Sequence, residues 1–212
     1  MAVKKRLTRP YHSTRRQEAA RLTRQVIAQA ALELFNQRGY NGASIDAIAE
    51  AAAVAPETIY ATFGSKRELL HYLLDVTLGG DEAPVRVIDR PEMQEVLNET
   101  DVQRLIRGFS SGIYQIMERA APVFTILSEA AKTEPELAAL VSRVRTERWE
   151  NMGKVARTIS RLATLRVTEP QATDILWALT SAELFSLLTG VRHWDREQYV
   201  TWLQDSLNRQ LI

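Results

Sequence analysis

The sequence contains no cysteine. Disulfides, thiolate catalysis and zinc–thiolate sites are excluded with it, and the absence fits a reducing cytoplasm. Histidine is scarce. His12, His71 and His193 lie far apart in different segments, so no metal site is expected. No apolar run approaches the roughly 18 residues of a membrane span, and no apolar stretch follows the basic N-terminus as a secretory signal would require. There is no Gly-rich phosphate loop, no nucleophile elbow and no pair of carboxylates in a recognisable frame. Neither an enzyme nor a cofactor is therefore expected. Strand-like alternation of useful length, internal repeats and low-complexity tracts are missing too.

What is present is charge in an uneven distribution. The net charge is +1 over 212 residues, yet residues 1–40 hold nine Lys or Arg against two Glu, and the remainder is acidic. A basic segment on a near-neutral body points to a polyanionic partner, with nucleic-acid phosphates first; a basic tail without a specific role is the alternative.

Helical periodicity runs through the chain. Residues 1–12 are polar and basic and read as a disordered arm. A helix starts near Ser13 or Thr14, carries Ile27, Ala30, Ala31, Leu34 and Phe35 on one stripe, and ends at Gly39. Ser44 caps a short helix with Ile45, Ile48 and Ala49 inward. A break at Ala52–Ala55 leads to Pro56, favoured in a first helical turn, and to a second short helix with Ile59 and Phe63 inward. Ser65 and Glu68 form a capping box that opens a fourth helix. Residues 79–101 read as a linker, with a short helix near Pro91. Beyond it lie a stripe from Val102 to Met117 ended or kinked at Pro122, a short segment 122–132, and a long helix from Pro135 to Leu162. An apolar helix over 170–191, buried all round, and a last helix capped by Asp195 complete the chain.

Two short helices joined by a tight turn cannot bury their apolar sides alone, and here a helix precedes them and another follows. Ile48, Ala49, Val54 and Ile59 have the spacing of a helix-turn-helix core. The second short helix offers Glu57, Thr58, Tyr60, Ala61 and Thr62 outward, suited to a DNA major groove.

The run from Arg15 to Leu74 resembles the DNA-binding domain of the tetracycline-repressor (TetR) family of bacterial regulators. The residues that carry the resemblance are Phe35-Asn36-Gln37-Arg38-Gly39-Tyr40, Ser44-Ile45-Asp46-Ala47-Ile48-Ala49, and Thr58-Ile59-Tyr60-Ala61-Thr62-Phe63-Gly64-Ser65-Lys66-Arg67-Glu68-Leu69. The resemblance implies an all-α chain: a basic arm (1–12), a three-helix helix-turn-helix domain (13–64), a connecting helix (65–79) and a larger helical domain for dimerisation and effector binding (80–212). It implies that Tyr60, Lys66 and Ser44 contact DNA phosphates and that Thr58 and Thr62 reach base edges or nearby phosphates. Arg6 and its neighbours in the arm either enter a minor groove or attract phosphate non-specifically. The sequence departs from the family pattern in the turn, which reads Ala52-Ala53-Val54-Ala55-Pro56 without the usual Gly and capping Ser or Thr. Ala55 cannot cap, at a cost of about 1 kcal/mol.

In the second domain, Phe109, Met117, Phe124, Trp149 and Trp177 are candidates for the wall of an apolar ligand cavity; filled core is the alternative for each. Leu184, Leu188, Trp202, Leu203 and Leu207 are candidates for a homodimer interface built from the last two helices. The reading is a bacterial, cytoplasmic repressor without membrane contact. Its dimer binds a palindromic double-stranded DNA operator and is released by a small apolar or aromatic ligand. A constitutive or architectural DNA-binding regulator without a ligand is the alternative.

Overall fold

The computed structural model describes residues 11–212, and the basic arm through Pro10, Arg6 included, lies outside the described residues. Every regular element among these residues is helical. The chain divides into two compact units, one through Leu69 and the other from Leu70.

The first unit holds α1 (Tyr11–Gly42), α2 (Ile45–Ala51), α3 (Pro56–Phe63) and the start of α4 (Lys66–Gly79). Helix α1 begins at Tyr11, so the last two residues assigned to the arm are helical. Its regular winding breaks at Gly39, where φ is 69°, a conformation that glycine adopts without a Cβ penalty. Ile27, Ala31, Phe35, Ile48 and Ile59 are fully enclosed and form the core of this unit. Phe35 and Tyr40 stack beside them, with ring centroids 5.5 Å apart.

The second unit continues through a 3-10 turn (Val87–Asp89), α5 (Pro91–Leu97), α6 (Val102–Ala130), α7 (Pro135–Leu162), α8 (Glu169–Leu179), α9 (Ala182–Ser186) and α10 (Arg196–Leu211). Three expectations are corrected here. Helix α6 runs without interruption through Pro122. An interior proline costs about 3 kcal/mol, but Val123, Ile126 and Leu127 just beyond it are buried, and each contributes roughly 1.5–3 kcal/mol. The burial outweighs the lost hydrogen bond.

The single helix expected over 170–191 is broken. Thr180 Oγ1 donates back to the Leu176 carbonyl (2.7 Å), and Ser181 Oγ accepts from the Leu184 N–H (3.2 Å), capping a new start. A π-helical turn then spans Leu187–Val191. Nor is the stretch buried all round, since Leu187 and Val191 are exposed. Residues Glu169–Val191 are apolar enough in composition to cross a bilayer, but Ala172, Thr173, Leu176, Thr180 and Phe185 are packed inside this unit.

The segment 79–101 is more than a linker: Ile88 and Met93 belong to the core of the second unit. Arg90 pins this segment with two hydrogen bonds to Asp81 (2.8 and 3.0 Å), and they hold the Asp81 carboxyl down at about 2. The core itself is built from Phe109 and Ile113 of α6, Val155 and Ile159 of α7, Leu176 of α8, Phe185 of α9 and one face of α10. Tyr199 of α10 sits between Phe185 (5.0 Å) and Trp202 (5.9 Å).

Candidate functional site

The helix-turn-helix is assembled as the spacing requires. Ser44 Oγ accepts from the Ala47 N–H at 3.1 Å and caps α2. The turn closes through the Ala53 N–H to the Glu50 carbonyl (3.1 Å) and the Val54 N–H to the Ala49 carbonyl (3.0 Å). Ala53 takes φ 52° to make these bonds, a left-handed conformation that costs an L-residue roughly 1–2 kcal/mol. Ala55 supplies no side-chain cap, and Pro56 opens α3 at its first turn. The missing turn glycine and missing cap are thus real local costs. The double variant Ala53→Gly, Ala55→Ser is expected to stabilise this domain by about 1–2 kcal/mol. Hydrogen exchange of the amides in residues 45–63 measures it, and unchanged protection would refute the assignment.

Helix α3 presents Glu57, Tyr60 and Ala61 to solvent, whereas Ile59 is fully buried. Tyr60 is 54% exposed, so its hydroxyl is open to a partner. Thr58 and Thr62 are half-buried, and the Thr62 hydroxyl donates to the Thr58 carbonyl at 2.6 Å, which leaves its oxygen as an acceptor. Gly64 ends α3 with φ 80°, and Ser65 Oγ accepts from the Glu68 N–H (3.2 Å) at the start of α4.

Lys66 is placed differently from a free phosphate contact. Its Nζ donates to the carbonyls of Tyr40 (2.9 Å) and Ala43 (3.1 Å) and lies 4.2 Å from the centroid of the Tyr40 ring. Those carbonyls lie where α1 ends and the chain crosses to α2, so the lysine fastens the start of α4 to that connection. The other candidates, Ser44, Thr58, Tyr60 and Thr62, all lie on α2 or α3 or cap them.

The second unit contains a cavity of about 650 Å3. Phe109, Met117 and Phe124 line it beside Ile113, Met152 and Val155. Residues outside the expected set also line it, among them Tyr72, Val76, Val87, Ile88, Met93, Arg148 and Thr180, with the charged Asp75, Asp81, Glu82, Arg86, Glu147 and Glu150. Arg148 carried a legible signal, because it stands four residues after Val144 and four before Met152, a charge on an otherwise apolar stripe.

Trp149 and Trp177 are not in this cavity. They line a separate open groove of about 570 Å3 with Arg145 and Lys132. Trp149 is 43% exposed, and its ring N–H donates to Asp174 at 2.8 Å. One residue step turns a helix by about 100°, which carries Trp149 away from the face that Arg148 occupies. Glu183, inside an apolar stretch, pairs with Arg145 at the surface (3.2 Å).

The interface candidates divide as well. Leu203 and Leu207 are fully enclosed within the chain. They are core residues and offer no surface to a partner, because α10 turns this stripe inward. Leu184, Leu188 and Trp202 are half-buried. Leu187 and Val191, outside the expected set, are 51% and 67% exposed. Among the described residues, no three His, Asp or Glu side chains stand close enough together to hold a metal.

Comparison with known proteins agrees with this architecture. Residues 27–73 match the family model for bacterial regulatory proteins of the tetR family. The HTH-type transcriptional regulator UidR of Escherichia coli K12 is 26% identical over 180 residues, covering 82% of each chain. The crystal structure of the TetR-family regulator PfmR from Thermus thermophilus superposes with a TM-score of 0.63 at 21% identity, over 89% of this chain and 96% of that one. The SmeT–triclosan complex superposes with a TM-score of 0.67 at 19% identity, over 90% and 92%. The helix-turn-helix geometry, the matched segment and the helical second unit agree: residues 27–73 match the DNA-binding domain of the bacterial tetR family, and the chain shares the fold of regulators of that family.

Proposed function

We propose that the protein is a repressor that binds a palindromic operator as a homodimer and is released by a small apolar ligand held in the second unit. The observation that carries this reading is the 650 Å3 cavity walled by Phe109, Met117, Phe124 and Val155. Its volume lies in the range of small-molecule sites, and a ligand-free regulator would gain from filling it. SmeT, similar in fold, is named as a complex with triclosan, which supports a ligand of this size and character. Ligand binding must favour the state that fits DNA poorly, since equal affinity for both states would release nothing.

The DNA side of the reading rests on α3. Tyr60 contacts a phosphate through its hydroxyl, Ser44 another from the start of α2, and Thr58 and Thr62 lie where base edges are reached. Arg6 adds a further phosphate contact from the arm. Tyr60→Phe removes one hydroxyl from an exposed position and leaves the core untouched. It is expected to weaken operator binding about three- to tenfold, with folding preserved. A titration of operator DNA, identified by sequencing the DNA that co-purifies with the protein, checks this. Unchanged affinity would remove Tyr60 from the interface. Measuring operator affinity with and without a saturating apolar ligand tests release, and an affinity indifferent to every such ligand would favour the constitutive regulator.

A further inference from the structure

Among the apolar side chains of the cavity wall stand seven charged residues, of which Glu82 and Arg148 are half-buried and Asp75, Asp81, Arg86, Glu147 and Glu150 are exposed. Arg148 enters from α7, half-buried, beside buried Thr180 and Met152. Its Nη1 donates to the Trp177 carbonyl (2.7 Å) and to Thr180 Oγ1 (3.1 Å). Its guanidinium carbon lies 4.7 Å from the centroid of the Trp177 ring. Among the described residues no carboxylate forms an ion pair with it: Glu183, which acts on it electrostatically, is bound to Arg145. Burial lowers the Arg148 guanidinium to about 10, and the more distant attraction of Glu183 offsets only part of that loss of water. On the neighbouring α10, the Tyr199 hydroxyl is fully buried without a hydrogen-bond partner. Burial holds that phenol above its ordinary range, and Arg148 acts on it electrostatically. Arg148 thus lines the cavity with no carboxylate ion-paired to it among the described residues.

We infer that the ligand is an amphipathic monocarboxylate whose head accepts hydrogen bonds from Arg148 while its apolar body lies along Phe109, Met117 and Val155. This rests on the ligand-released reading above and names the ligand's chemistry. A carboxylate matches the fork of a guanidinium, and Nε and Nη2 of Arg148 make no hydrogen bond within the described chain. A phosphate or a polyanion fits less well. Arg86, the other cation on the wall, is bound to Asp89 at 2.6 Å, and exposed Asp75, Glu147 and Glu150 stand around the opening. They repel negative charge, and each further charge on the ligand adds to that repulsion.

The test uses the full-length protein and three probes of one chain length: decanoate, decan-1-ol and decylammonium, each below its micelle concentration. Calorimetry measures affinity. Decanoate is expected to bind at least about tenfold more tightly than decan-1-ol. Arg148→Met is expected to abolish that preference while leaving decan-1-ol affinity within about twofold, which also shows that the variant is folded. Arg148→Lys is expected to retain part of the preference. Equal binding of decanoate and decan-1-ol by the wild type would overturn the inference, as would a preference that survives in Arg148→Met. Tighter binding of decylammonium would overturn it too and assign the cavity to cations attracted by the carboxylates at its opening. Binding of none of the three would overturn the inference together with the ligand-released reading, whereas equal binding of all three would leave that reading standing.

Discussion

Lys66→Met is expected to destabilise the DNA-binding domain by roughly 2–3 kcal/mol, most of the protection that so small a core provides. The ammonium satisfies the carbonyls of Tyr40 and Ala43 and lies over the Tyr40 ring. Methionine keeps much of the stem and removes every donor, so the Ala43 carbonyl loses its lysine partner and the Tyr40 carbonyl keeps only the long bond from the Ala43 N–H (3.4 Å). Hydrogen bonds from a charged donor contribute about 1.5–3 kcal/mol. The four tryptophans, Trp149, Trp177, Trp194 and Trp202, all lie in the second unit, so their fluorescence is blind to this change. Amide exchange over residues 45–63 reports it directly. Operator affinity falls with the folded fraction. The rival role, a phosphate contact and nothing more, has a different signature: stability unchanged and the slope of log affinity against log salt lowered by about one unit. That result would overturn the fastening role.

The pair Leu187→Glu and Val191→Glu is expected to convert a dimer to monomers without loss of helix content. Both side chains are exposed in the chain, so neither substitution opens a cavity. In the proposed dimer, each of the four copies of these side chains would lose about 1.5–3 kcal/mol of burial and leave a carboxylate to desolvate. The dimer dissociation constant should rise by at least about a thousandfold. Sedimentation at micromolar concentration reads the outcome, with circular dichroism as the control for folding. Operator affinity should fall with it, because a palindrome rewards two reading heads held at a fixed spacing. A double variant that sediments as a dimer would move the interface elsewhere. Trp202 remains in the proposed interface, but Leu203→Glu would be a poor test, since it would place a charge in a closed core.

The sequence was most legible where structure is local. Ser44, Ser65, Thr168, Ser181 and Asp195 accept from backbone N–H groups at helix starts, and a cap is a contact between residues three apart. Ser44, Ser65 and Asp195 were open to reading in that way; Ser181 was hidden because the apolar residues around it suggested one unbroken helix. Pro122 was misleading for the opposite reason. Its cost is local and visible, but the burial that overrides it comes from other helices.

By itself, the sequence determined the all-helical architecture, the two short helices with their turn, the strained Ala53, the uncapped Ala55 and the outward position of Tyr60. Each follows from spacing along one or two helices and from the backbone preferences of single residues. Only the tertiary structure decided that Lys66 fastens α4 to the connection between α1 and α2, that Leu203 and Leu207 are core, and that Trp149 and Phe109 serve different places. Only it brought Arg148 and Tyr199, 51 residues apart in the sequence, close enough to interact. Periodicity states which face of a helix is apolar. Whether that face meets the chain's own core, a cavity or solvent depends on the packing of helices distant in sequence, and no local pattern encodes it.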